Sequence, residues 1–193
     1  MAIRTAINPR LTNLSPPISG EKLFELGDIG PAELIKGEIV PMSPTGHLHG
    51  FIESNIGGLL RQFVQQHKLG RVLVGEVGLY TRRKPDTVRA ADVLFISNER
   101  LAQVQSTSYL DVAPELIVEI LSPDDSWSEL MEKLEEYFSI GVQLVWLVDP
   151  RRQQVFVYRS LTDMEQLKIE QELSGAPVLP DLRLAVAELF AAE

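Results

Sequence analysis

Four runs rich in valine, isoleucine and leucine constrain this chain more than any other feature. Val72–Tyr80, Val88–Ile96 and Glu115–Leu121 follow one another, and Gln143–Val148 comes only after an amphipathic segment from about Trp127 to Ile140. Short apolar runs rich in branched side chains read as half- or fully buried strands. Three strands joined by short links can pair antiparallel, whereas a parallel neighbour needs a crossover of helical length. The expected fold is therefore α/β: a mixed central sheet with one helix on each face.

The remaining segments fit that frame. His47 to Lys68 carries apolar residues at helical spacing, with Gly57-Gly58 in its middle and Gly70 beyond its end. A glycine pair there suggests close backbone packing. Ser126 and Glu129 have capping-box spacing at the start of the second helix, and Gly141 ends it. Ser19 to Gly27 suits a short helix. Glu33 to Pro41 suits two short strands around Lys36-Gly37, and Val155–Tyr158 one more strand beyond the turn Asp149-Pro150-Arg151. Residues 1–20, with Pro9, Pro16 and Pro17, read as an arm preceding a single domain over 21–193. The stretch from Leu161 onward carries seven acidic residues and reads as an acidic extension closing on a helix over Leu184–Ala192.

Composition narrows the function. The chain has 193 residues, enough for one core without staples, and no cysteine, which removes disulfides and thiolate metal sites. No segment has signal-peptide or membrane-span character, so a soluble, cytoplasmic protein is expected. The formal net charge of −9 counts against broad duplex binding through phosphate contacts. A local basic patch stays open at Arg82, Arg83, Lys84 and Arg89, while Arg151 and Arg152 read as solvated loop charges.

Three charged residues need explaining. Glu119 stands among large aliphatics in Leu116-Ile117-Val118-Glu119-Ile120-Leu121, sharing a strand face with Ile117 and Leu121. A carboxylate so situated must be protonated, paired or bound to a cation. An ion pair with an arginine such as Arg89 and a functional carboxylate weigh about equally. Asp92 stands in the otherwise apolar run Ala90–Ile96, either as a strand-end residue tying a loop or as a metal ligand. Two carboxylates on adjacent strands would repel unless they share a divalent ion, and hard oxygen ligands select Mg²⁺ or Mn²⁺. Lys133 flanks the apolar stripe formed by Leu130, Leu134, Tyr137 and Phe138. It can reach the end of the sheet, or form an ordinary surface pair with Glu129 or Glu136.

These residues sit in a wider pattern. Val118-Glu119-Ile120-Leu121-Ser122-Pro123, then Lys133, Tyr137, Gly141-Val142 and Trp146-Leu147-Val148-Asp149-Pro150, resemble the Uma2 family. So do Gly37-Glu38-Ile39-Val40, Met42-Ser43-Pro44-Thr45-Gly46, His49, and Pro85-Asp86-Thr87-Val88-Arg89 leading into Asp92. The resemblance covers residues from about 25 to 160. Uma2 proteins are widespread in cyanobacteria and are grouped with PD-(D/E)XK endonucleases of restriction endonuclease-like fold. The resemblance implies that Asp92 and Glu119 fill the two acidic positions of that motif and, with the Ile120 carbonyl, hold Mg²⁺ or Mn²⁺. Two positions depart from the motif: Ala91 replaces the proline before the aspartate, and Leu121 stands where the lysine belongs. The resemblance implies that Lys133 on the second helix takes the lysine's part.

Glu38, His49 and Glu76 are further family-like positions, with structural roles ahead of direct catalysis. Glu38 and Glu76 could complete an acidic cluster, and His49 could touch a phosphate or cap its helix. The resemblance further implies metal-dependent hydrolysis of phosphodiester bonds, with DNA as partner and a homodimer as the assembly. Its rivals are a catalytically silent nucleic-acid-binding or interaction module on the same fold, and a hydrolase of small phosphoesters.

Overall fold

The computed structural model describes residues 17–123 and 125–191. Most of the expected N-terminal arm, and residue 192 of the expected last helix, lie outside that range. In chain order the elements are α1 (Gly20–Glu25), β1 (Ala32–Ile35), β2 (Glu38–Pro41), α2 (His47–His67), β3 (Gly70–Arg82), β4 (Thr87–Ser97), α3 (Asn98–Leu101), β5 (Leu116–Ile120), α4 (Trp127–Ser139), β6 (Leu144–Asp149), β7 (Gln154–Tyr158), β8 (Met164–Leu167), β9 (Glu172–Gly175), β10 (Leu179–Ala185) and α5 (Val186–Phe190).

Eight strands form one mixed sheet in the order β2-β1-β4-β5-β6-β7-β8, with β3 also paired to β4. The three consecutive apolar strands are antiparallel neighbours, and β5 and β6 are parallel across the α4 crossover. This is the arrangement the run order allows. Both faces of β4, β5 and β6 are buried. On one face Val93, Phe95, Val118 and Trp146 pack with Ile52, Ile56, Leu60 and Val64 of α2. On the other, Leu94, Ile96, Ile117 and Val145 pack with Leu134 and Tyr137 of α4.

The helix ends follow local chemistry. The Ser126 hydroxyl accepts from the Glu129 N–H while the Glu129 carboxylate accepts from the Ser126 N–H, a complete capping box. α2 stops at Lys68, which adopts left-handed geometry at φ 55°. A Cβ on Gly57 would come within 2.7 Å of Val74 Cγ1, so this glycine lets α2 approach β3, whereas Gly58 faces open space.

The C-terminal stretch differs from its sequence reading. It contributes the edge strand β8, the hairpin β9–β10 and the short helix α5, and Leu184 lies in β10 rather than in a helix. Leu167, Leu173, Leu179, Leu182, Leu184, Val186 and Leu189 all enter the core on the α2 side. That face therefore carries α2, α5 and a hairpin rather than one helix. Its seven acidic residues made this segment read as an acidic extension; in β10, Leu182, Leu184 and then Val186 of α5 point inward at alternate positions between exposed Asp181, Arg183 and Ala185. No helix among the described residues is long and apolar enough to cross a membrane.

Candidate active site

A cleft of about 460 Å³ opens at the start of α2 and α4, the end of β5 and the middle of β4, lined among others by His49, Glu76, Asp92, Glu119, Ile120 and Lys133. The sequence picked out all six. Glu38, the seventh, is exposed on β2 and is not among the lining residues.

The register brings the two key carboxylates side by side. Val93 pairs with Val118, so Asp92 and Glu119 follow one step further along their antiparallel strands. They are 6% and 7% exposed. Asp92 Oδ2 accepts a hydrogen bond from the Ile120 N–H at 2.7 Å, and Oδ1 lies 3.3 Å from His49 Nε2. Glu119 accepts from the Tyr137 hydroxyl at 2.5 Å and from Lys133 Nζ at 3.1 Å. Neither carboxylate is paired with an arginine among the described residues.

The strand opposite Asp92 is irregular. Val74 pairs with Val93 and Val77 with Ala91, so two residues of β3, Gly75 and Glu76, oppose the single Asp92. Both have positive φ, 90° and 55°. This is a β-bulge, which bends a strand and re-aims its side chains. The Gly75 N–H donates to Glu53 Oε1 of α2 at 2.6 Å, and Glu76 lines the cleft. A non-glycine residue in the left-handed region is a small energetic burden beside an already crowded acidic site.

Behind the cleft lies an ion-pair network that the sequence did not disclose. Lys133 Nζ also lies 3.3 Å from Glu33 Oε1 of β1. Glu33 accepts from Arg89 Nη1 at 3.0 Å and from the Ala90 N–H at 3.0 Å. Arg89 in turn makes a two-pronged contact with Glu136 of α4 at 2.7 and 2.9 Å, and Thr81 donates to the same carboxylate at 2.9 Å. Arg89 is 4% exposed, so it belongs to no surface patch and is not the partner of Glu119. Arg83 is likewise engaged, with Glu21 and Asp86, and lies over the Tyr80 ring at 3.6 Å. Two of the four candidate patch residues are thus neutralised, while Arg82 and Lys84 stay exposed with no ion-pair partner among the described residues. Lys133 is not an ordinary surface pair with Glu129 or Glu136; its partners are Glu119 and Glu33.

Electrostatics follow from burial. Burial pushes the Glu119 carboxyl up to about 7, against the pull of the Lys133 charge and with the push of the Asp92 charge. Burial alone would lower the Lys133 amine, but Glu119 and Glu33 outweigh it and raise it above the ordinary lysine value, so it stays charged at neutral pH. Asp92 raises His49 above its usual value, against desolvation. The cleft is lined by Glu76, Asp92, Glu119, Asp125 and Glu129 against the one lysine. A phosphate would meet net repulsion there unless a cation intervened.

The donor set suits such a cation. Two adjacent carboxylates, one of them raised by burial, share the cleft with a buried imidazole whose two nitrogens both lack a hydrogen-bond partner. No group of three histidine, aspartate or glutamate side chains is drawn together for a metal among the described residues. The reason is visible in the contacts: Glu119 is turned toward Tyr137 and Lys133.

Residues 22–187 match the family Uma2, described as "Putative restriction endonuclease". A solved structure from Anabaena variabilis ATCC 29413, titled as "a putative nuclease belonging to DUF820", has the same fold, with a TM-score of 0.75 and 23% identity. That match covers 90% of this chain and 98% of the other. No curated protein matches.

Proposed function

The chain belongs to the Uma2 family, and on that premise we propose that its cleft hydrolyses phosphodiester bonds in DNA with the help of a divalent cation. The observation that carries the proposal is the adjacency of Asp92 and Glu119, one register step beyond the Val93–Val118 pair, in one cleft with Lys133. Asp92, Glu119 and the Ile120 carbonyl would hold Mg²⁺ or Mn²⁺. Such an ion polarises a phosphate and lowers the pKa of water bound to it.

The side chains divide the remaining work. The Ile120 N–H fixes one oxygen of Asp92 and leaves the other toward His49. Lys133 is held charged between Glu119 and Glu33, so its part is to balance negative charge developing on the phosphate rather than to accept a proton. Tyr137 steadies Glu119 from the dry side. Two such sites would be needed to break both strands, so the proposal includes a homodimer, testable by sedimentation.

The test is cleavage of supercoiled plasmid with Mg²⁺ or Mn²⁺. Asp92→Ala and Glu119→Ala should each lower the rate by at least about a hundredfold. A wild-type rate unaffected by chelation, or by both substitutions, would overturn the proposal. One observation favours a silent module instead: Glu119 is already satisfied by Lys133 and Tyr137. That reading predicts DNA binding without turnover under any metal. A panel of nucleotides and small phosphoesters tests the third possibility.

A further inference from the structure

We propose that the imidazole of His49 is a ligand of the same cation as Asp92, and that this nitrogen donor makes the site select Mn²⁺ over Mg²⁺. The inference rests on the metal-dependent reading above and adds the identity of the ion.

His49 lies in the first turn of α2, on the stripe that continues through Ile52, Ile56, Leu60 and Val64. It is 8% exposed, and both ring nitrogens are buried with no hydrogen-bond partner. Leaving buried polar groups unpaired is unfavourable, so each such group needs a reason. Helix capping is not the reason. Gly46 is the N-cap of α2, and no side chain bonds to the helix start. A conventional ion pair is not a full reason either. Nε2 stands 3.3 Å from Asp92 Oδ1, yet the ring N–H does not line up on the carboxylate as a hydrogen bond would.

Two donor atoms this close, unbonded to each other and lining one cleft, have the spacing of neighbouring ligands on one ion. With metal–ligand bonds of roughly 2.1 Å at right angles, adjacent donors stand about 3 Å apart. The other oxygen of Asp92 is held by the Ile120 N–H, which leaves Oδ1 as the donor on the His49 side. The chemistry of the pair then sets the preference. Mg²⁺ is hard, and its protein sites are built from oxygens. An imidazole nitrogen raises affinity for first-row transition ions, while the carboxylates keep the site hospitable to Mn²⁺.

The experiment is calorimetric titration of the full chain with Mn²⁺ alone and with Mg²⁺ alone, near neutral pH. Wild type, His49→Ala and Asp92→Asn are compared, each first checked for folding by metal-free melting. Wild type should bind Mn²⁺ about tenfold or more tightly than Mg²⁺. His49→Ala should lose about 10- to 100-fold in Mn²⁺ affinity and little in Mg²⁺ affinity. Asp92→Asn should lose both. Electron paramagnetic resonance of the Mn²⁺-loaded wild type should show coupling to an imidazole nitrogen, which decides the matter even if His49→Ala does not fold. Unchanged or tighter binding of both ions by His49→Ala, with no nitrogen coupling, would mean that the ring is a counter-charge to Asp92. That outcome overturns the inference while Asp92→Asn still upholds the metal reading. Failure of wild type to bind either ion overturns both.

Discussion

Lys133 Nζ lies 3.1 Å from Glu119 Oε2, although the two residues are fourteen positions apart and belong to different layers. The same amine reaches Glu33 at 3.3 Å, so one positive charge serves two buried carboxylates. Removing it leaves Glu119 without a counter-charge, while Glu33 keeps Arg89. Lys133→Met should therefore destabilise the protein by about 3–5 kcal/mol, as loss of one partner from a buried ion pair does. Adding Glu119→Gln should recover part of that loss. Urea denaturation of the single and double variants measures both numbers, and a cost under about 1 kcal/mol for the single change would contradict this account.

Arg89 offers the parallel test one layer back. Its guanidinium grips Glu136 with two nitrogens and Glu33 with a third. Lysine cannot reproduce that fork, so Arg89→Lys should cost about 2 kcal/mol despite keeping the charge. Thermal melting reads the effect; an unchanged midpoint would mean that charge alone matters.

The glycine pair of α2 should respond asymmetrically. Gly58 is exposed with nothing near a prospective Cβ, so Gly58→Ala should stabilise by about 0.5–1 kcal/mol. Gly57→Ala drives a methyl toward the stiff side chain of Val74 and should forfeit that gain or reverse it. Comparing the two midpoints is enough.

Asp149 sets an acid limit. Burial would raise its carboxyl, but the Arg152 N–H and side chain, the Arg151 N–H and Gln154 together lower it below the ordinary value of 3.8. A lowered folded-state pKa gives stability that is present above the unfolded value and lost as pH falls through the folded one. Asp149→Ala should accordingly cost about 1–2 kcal/mol at neutral pH, with the difference from wild type shrinking below pH 3.8. Denaturation series at neutral and strongly acidic pH check the sign.

How much of this could be read from residues alone depends on the signal each one leaves. Asp92 and Glu119 stood out because a charge interrupts an apolar strand, and register then carried both to one cleft. The α4 start was legible in Ser126 and Glu129, whose spacing is itself the hydrogen-bond geometry. Arg89 stood out in the same way as a partner for a buried carboxylate, but nothing marked Glu33 as that carboxylate. The two meet 56 positions apart, a pairing that only the β1–β4 contact creates. The hairpin β9–β10 was hidden by the exposed charges of Glu172, Asp181 and Arg183, since polar surface on an outer strand resembles solvated loop. Tyr137 was visible as core, while the hydroxyl it turns on Glu119 was not.

The extra residue in β3 has a mechanical consequence for the long β3–β4 ladder. In any such ladder a one-residue slip turns every side chain of the strand to the opposite face, and the kink adds a second barrier. Here, sliding β3 by one place would force Val74 into the twisted backbone that Gly75 now occupies, and a β-branched side chain resists that conformation strongly. The kink thus acts as a detent, fixing how far Asp92 stands along the hairpin and so its height relative to the rest of the cleft.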